Sequence, residues 1–339
     1  MTQTQAERFE ASTRLLHEIC RISHPTHAFN GAGSLFATSR LHRALRAHEN
    51  TAIYDWLMMV FSYQGVADRA VDTILRRDGN ATWETMAASL RADPDCEKLH
   101  SFWKFEGCGY EKSRRSCNNP GDFHACPLPR LNLRNGSLNQ LSFSLYLFFR
   151  DVAGGDFLGW LDDRIQKALG GGYPEIDREL IAPMRSIHGI SDKVISMALS
   201  DLLLASPNSV WRRLGAEFIV IDRLIHNFMH RSGILKRHDC EHLYGEKCYD
   251  ENGCAKLLLS LSRGIDMRRY HHAFPQPFPR FVQTAIWRYC TASGENICNG
   301  NQIDDRKRCR NELCNLQSFC ERIALRAGSR NSIKQRPLV

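Results

Sequence analysis

The sequence predicts a mostly α-helical protein interrupted by Cys-rich insertions. Several stretches repeat apolar residues at the three- and four-residue spacing of a helix, the longest being "TAIYDWLMMVFSYQGVADRAVDTILRR" at residues 51–77. No set of alternating strands and no internal repeat occurs. No run of ~18 apolar residues is present, so no membrane span is expected.

The elements follow in order. Residues 1–45 read as a loosely helical arm ending in loop at "PTHAFNGAGS". Residues 46–180 hold the long helix, then short helices at "ATWETMAASLRA", where Thr82 is a candidate cap, and at "CEKLHSFWKF". Residues 107–137 are rich in Gly, Pro, Asn and charge, and form a loop-like insertion. Helices resume at "LNQLSFSLYLFFRDV" and "DFLGWLDDRIQKAL". Residues 181–235 carry a helix, a Gly turn and a second helix at "IHGISDKVISMAL", then a helix from about Asp222. Residues 236–289 include a second Cys-rich insertion at 238–254 and closing helices at "AKLLLSLSRGIDM" and "PRFVQTAIWRYC". A Cys-rich loop at 290–325 and a basic tail at 326–339 complete the chain.

With 339 residues, 43% of them hydrophobic, the chain can bury one large core or two modest ones. The N-terminal "MTQTQAERFEASTRLLHEIC" lacks an apolar signal core, so export is not expected. A net charge of +8 leans toward polyanions, an argument that needs a phosphate-binding device beside it. Thirteen cysteines in a chain not marked for export read better as metal ligands than as disulfides. All but Cys20 and Cys96 are clustered.

In "IHGISDKVISMAL", Gly189 permits a tight turn and the following helix start offers backbone N–H groups to a phosphate. An ordinary helix–loop–helix with a surface lysine is the other reading of this stretch. In "EFIVIDRLIHNFMHRSGIL" a buried apolar run ends at Asp222, which opens a helix. A carboxylate there caps the helix, and it can also stabilise a cation developing nearby.

"IHGISDKVISMALSDLL", then "FIVIDRLIHNFMHRSGIL", then a Cys-rich tail, resembles the helix-hairpin-helix DNA glycosylases of the endonuclease III type. The ordered resemblance covers about residues 50–320. It implies two helical subdomains, with DNA across the cleft between them. It places Lys193 on the family's catalytic lysine and Asp222 on its catalytic aspartate. "FSYQGVADRAV" is similar to another family segment and puts Gln64 where a residue enters the DNA near the flipped base. Gln64, His188, Gly189 and Ser191 are the expected DNA contacts. The chain departs from the family at Ser191, where a second Gly is usual, and at His188, where Pro is common. The 205–218 connection is longer than usual, and the two insertions are unlike the prototype.

The tail continues the resemblance. Cys309-x4-Cys314-x5-Cys320 shares its closing spacing with the family's Cys-x6-Cys-x2-Cys-x5-Cys run, with earlier gaps expanded. Thiolates so spaced suit a [4Fe–4S] cluster. Cys298, Cys309, Cys314 and Cys320 are the expected ligands, with Cys290 the alternative because "WRYC" resembles the lead into the family's first ligand. Zinc is the other metal such a tail can hold. Arg306, Lys307, Arg308 and Arg310 interleave with the ligands and form a strip suited to phosphates, or a solvated charge run. Cys108, Cys117, His124 and Cys126 are candidates for a second metal, zinc by chemistry, and Cys240, Cys248 and Cys254 could join a site assembled across the insertions. The alternative is thiols buried as small apolar groups. Asn135 and Gln140 are weaker candidates for the base pocket, and the His271–His272 pair for a DNA groove or a structural loop.

The expected activity is excision of a damaged, mismatched or modified base from double-stranded DNA in base excision repair or defence against foreign DNA, with strand cleavage at the abasic site. Base release without strand cleavage, and metal-stabilised DNA binding without catalysis, are the alternatives. The expected protein is a monomer in the cytoplasm, nucleoid-associated in a bacterium. Which base is removed is not legible.

Overall fold

The computed structural model of the chain describes residues 4–23, 40–63, 73, 81–91, 96–111, 116–117, 137–300 and 303–325. The protein is mostly helical, as its apolar periodicity predicts. The longer helices are α1 (Gln5–Ser23), α2 (Arg40–Arg46), α3 (Asn50–Ser62), α4 (Trp83–Arg91), α5 (Ser137–Leu147), α6 (Phe157–Ala168), α7 (Asp192–Leu204), α8 (Ser209–Glu217), α9 (Arg223–Arg231), α10 (Cys254–Arg263) and α11 (Pro279–Cys290). Among the described residues the only strands are β1 (Tyr110–Glu111) and β2 (Ser116–Cys117), a short antiparallel pair. No described helix is long and apolar enough to cross a membrane.

The chain forms two compact units. One comprises Ser34–Arg212, the other Met1–Gly33 with Arg213–Val339. The stretch 181–235, grouped together in the sequence, is therefore divided, with the break inside α8. Lys193 belongs to the first unit and Asp222 to the second.

The 34–212 unit is built on aromatic packing. In α3 the buried face is Ile53, Tyr54, Leu57, Met58 and Phe61. Tyr54 donates its hydroxyl to the Ser142 carbonyl at 2.7 Å, so its polar end is satisfied inside the core. Trp83 lies 4.3 Å from Tyr146, and Phe149 stacks on Phe157 at 4.2 Å, ring centre to ring centre. The Asp156 carboxylate caps α6 by accepting from the Gly159 N–H at 3.0 Å, which holds its carboxyl below the ordinary range, with His48 adding to the effect. Helix α7 buries Ile195, Ala198, Leu199, Leu202 and Leu203 and packs on α3.

Local chemistry explains two departures from regular helix. "CEKLHSFWKF" splits into a 3₁₀ turn at Glu97–His100 and a helical turn at Phe102–Phe105, because Ser101 is extended between them and caps the second. The segment entering the Gly turn is a π turn at Asp177–Ile181 followed by a 3₁₀ turn at Ala182–Met184. Pro183 has no N–H for an α-helical ladder and its ring crowds the preceding turn.

In the other unit, α1 packs on α10 and α11. Within the N-terminal arm, Gln5–Ser23 is a helix with a buried face of Leu15, Leu16, Ile19 and Cys20. It is fastened by polar contacts: Arg8 donates to the Arg237 carbonyl at 3.0 Å and pairs with Asp239 at 2.6 Å, and Tyr270 donates to the His17 carbonyl at 3.1 Å. In "RRYHHAFPQPFPRF" the phenylalanines are core, while His271 and His272 stack on each other at 4.5 Å and His272 is exposed. Phe274, Phe278 and Phe281 are buried against one another, and Phe281 also meets Tyr270.

Candidate functional site

Gly189 adopts the left-handed conformation, with φ +80, that its place in the turn requires. Ser191 follows in extended conformation at the N-cap of α7, without a side-chain cap bond. No described residue accepts from the backbone N–H groups of Asp192 and Lys193, so both amides stand at the helix start for an external acceptor. Gly189, Ser191 and Lys193 are exposed. The turn is pinned from behind by Arg185, which donates to both Asp192 oxygens at 3.0 and 3.1 Å and to Asp177 at 2.5 Å. These carboxylates hold the Arg185 guanidinium above its ordinary range, Asp192 most of all.

His188 is turned the other way. Its N–H donates to the Ser144 hydroxyl at 3.1 Å, its Nε2 lies 3.3 Å from the Phe105 carbonyl, and its ring meets Phe105 edge to face at 5.3 Å. It holds the turn against the core instead of extending toward a ligand. Gln64 lies outside the described residues, as do His124, Cys126 and Asn135. Gln140 is bonded to the Cys108 thiol.

Asp222 sits at the N-cap of α9, half-buried, and accepts from the Ile225 N–H at 2.9 Å. The run before it is buried, and its backbone is satisfied by side chains: the Val220 N–H donates to Gln283 at 3.1 Å, and the Ile221 N–H to the Tyr249 hydroxyl at 3.0 Å. That hydroxyl in turn donates to the Ile221 carbonyl at 3.3 Å. Asp222 is thus held by its own helix, and Ile221 before it by Tyr249.

The far end of α9 meets the cysteine tail. Glu321 and Ile323 donate from their backbone to the carbonyls of Ser232 and Arg231, at 3.2 and 2.9 Å. Arg231 is only 2% exposed; its Nη2 bonds Asp305 at 2.6 Å, while Nε and Nη1 have no hydrogen-bond partner among the described residues. The charges of Cys298, Cys309 and Cys314 all bear on Cys320, so the four expected ligands share one neighbourhood. Burial pushes the Cys320 thiol up to about 12 and raises Cys314. Cys298 is pulled down by a hydrogen bond from Cys290 and by the Arg231 charge. Cys290 is fully buried, its thiol raised by that burial, and it bonds Cys298. Tyr289 lies 3.3 Å from the Cys314 sulfur, and the Arg322 N–H donates to Cys320 at 3.4 Å. A buried guanidinium with two free donors and N–H and O–H groups aimed at sulfur fit an anionic thiolate-bound group such as an iron–sulfur cluster.

Beside this tail an open cleft of roughly 1000 Å³ is lined by Asn296, Ile303, Lys307, Arg308, Arg310 and Asn311, among others. Lys307 is paired with Asp304 at 3.4 Å and Arg306 with the same carboxylate at 3.5 Å. Arg308 and Arg310 are exposed without a carboxylate partner among the described residues.

A second thiol cluster differs from the expected one. His226, His242, Cys248 and Cys254 bring four donor atoms within 4.8 Å of one another, a group that could bind a metal. Cys240 is not among them; its thiol donates to the Leu235 carbonyl at 3.5 Å. Cys108 feels the charges of Cys96 and Cys117, so Cys96 does not stand apart as its sequence position suggests. His226 and His242 escaped the sequence reading. His226 lies four residues past Asp222 in a segment already explained by a helix. His242, close before Cys248 and Cys254, was the available signal.

No protein-family model, curated protein or solved structure matches this chain. The resemblance to the glycosylases therefore rests on the chain's own segments.

Proposed function

We propose that the protein is a DNA glycosylase with associated strand-cleaving activity. The observation that carries this reading is the start of α7. An exposed lysine and two amides without a described acceptor follow a left-handed glycine, an arrangement that suits a DNA phosphate beside the lysine. The target nucleotide must leave the stack before its glycosidic bond can be reached. The Lys193 amine attacks C1′, the glycosidic C–N bond breaks, and the base departs with a proton. Opening of the sugar ring gives a Schiff base; loss of a C2′ proton then expels the 3′ phosphate. Asp222, fixed at its cap, stabilises the positive charge on the sugar as the base leaves. The tail thiols Cys298, Cys309, Cys314 and Cys320 would hold a [4Fe–4S] cluster, which supplies a rigid tie for the basic strip. Arg308 and Arg310 would meet DNA phosphates.

The exposure of Lys193 favours a second reading, in which it contacts only phosphate and the base is released without strand cleavage. Asp222→Asn tests excision under both. Asparagine keeps the helix cap but removes the charge. Single-turnover base release, on duplexes carrying damaged, mismatched and modified bases, should fall at least 100-fold with DNA affinity retained. Unchanged release would remove Asp222 from the chemistry. No release by the wild type on any duplex would favour a DNA-binding protein.

A further inference from the structure

The four donors of the His/Cys group have the geometry of a filled coordination shell. His226 Nδ1 lies 3.3 Å from the Cys254 sulfur and 3.5 Å from the Cys248 sulfur, and His242 Nε2 lies 3.3 Å from Cys254. Zinc–sulfur bonds near 2.3 Å and zinc–nitrogen bonds of 2.0–2.1 Å at tetrahedral angles put nitrogen and sulfur about 3.6 Å apart. The observed edges are close to that value. Cys248 and Cys254 are fully buried, and His226 is 5% exposed.

The surroundings orient the donors. His242 Nδ1 lies 2.7 Å from the Cys240 carbonyl. A hydrogen there donates to that oxygen and leaves the Nε2 lone pair facing the thiols, the usual support of a metal-bound imidazole. Cys254 occupies the first position of α10. Gly253 before it has no room for a side chain: a Cβ would stand 2.6 Å from the Cys248 carbonyl. That close approach brings the two sulfurs together.

We propose that His226, His242, Cys248 and Cys254 bind one Zn²⁺ in a closed structural site. Two thiolates and two imidazoles select zinc, and four protein donors leave no position open for a substrate. The ion fastens the 238–254 insertion to α9. Tyr249, next to Cys248, then grips the backbone of Ile221 just ahead of Asp222. The insertion is thus a clamp on the Asp222 segment, closed by metal one helical turn away. The binding site stands whether or not the chain excises bases.

The test is zinc content and zinc X-ray absorption of the full-length protein grown with zinc. Cys314→Ser serves as the reference, because its tail has lost a thiol. The expected result is one zinc per chain with a shell of two sulfurs and two nitrogens, in the wild type and in Cys314→Ser and Cys240→Ser. His226→Ala and Cys254→Ser should lose it. Zinc-free wild-type protein overturns the proposal, as does zinc with a four-sulfur shell or zinc retained in both His226→Ala and Cys254→Ser. If those two variants do not fold, the shell measured on the wild type and Cys314→Ser decides alone.

Discussion

Single residues carry the chemistry and much of the cost of this protein. Arg231 is buried, bonded through Nη2 to Asp305, with Nε and Nη1 unpaired among the described residues, and its charge bears on Cys298. A guanidinium in that position needs negative charge, which metal-bound tail thiolates would supply. Arg231→Ala should destabilise the protein by about 2–3 kcal/mol, toward the low end for breaking a buried pair because Asp305 keeps some solvent. Iron content of anaerobically purified protein should fall with it. Urea unfolding and iron analysis check both; unchanged values would show that Arg231 does not balance an anionic site. Residue identity was legible where a position has one strong chemical reason. Asp222 was readable because a short carboxylate after an apolar run has few other uses, and it caps α9. His226 was not, because on a helix face it satisfies the same apolar pattern as a core residue. Its partners lie 16 to 28 residues away, His242 nearest and Cys254 farthest.

At the scale of elements, the turn before α7 and helix α9 matter most. The turn depends on Gly189 at φ +80. Gly189→Ala should cost about 1–2 kcal/mol, the ordinary penalty for forcing a side chain into the left-handed region. Gly189→Asn should cost less, since Asn tolerates that region better. Equal stabilities of Ala, Asn and wild-type proteins in urea would mean the turn is not held as described. Helix α9 is read at three levels: its N-cap is Asp222, its first turn carries His226, and its last turn carries Arg231. Helices were legible from apolar spacing, and the Gly turn from its lone glycine. The π and 3₁₀ turns at 177–184 were not, because Pro183 redirects the hydrogen bonds without changing the apolar pattern. Gln5–Ser23 of the N-terminal arm form a packed helix, since Leu15, Leu16 and Ile19 need a neighbour that only the tertiary fold supplies.

At the scale of the molecule, the chain divides into two units whose break falls within α8, a boundary that composition does not mark. The Cys-rich loop at 290–325 balances five basic residues with five acidic ones, so the net charge of +8 arises elsewhere, yet Arg308 and Arg310 lack carboxylate partners among the described residues. If those two arginines meet phosphates, their joint replacement by Ala should lower the slope of log binding constant against log salt by about 1.8, at about 0.9 per phosphate contact. An unchanged slope in fluorescence anisotropy titrations would leave the strip as a solvated charge run. The proposed strand-cleaving chemistry requires Lys193 to become covalently joined to DNA. Borohydride trapping on a panel of damaged, mismatched and modified duplexes tests it most directly. A trapped protein–DNA product that disappears in Lys193→Ala is the predicted result; a product that persists in Lys193→Ala, or base release with no trapped product, would contradict it.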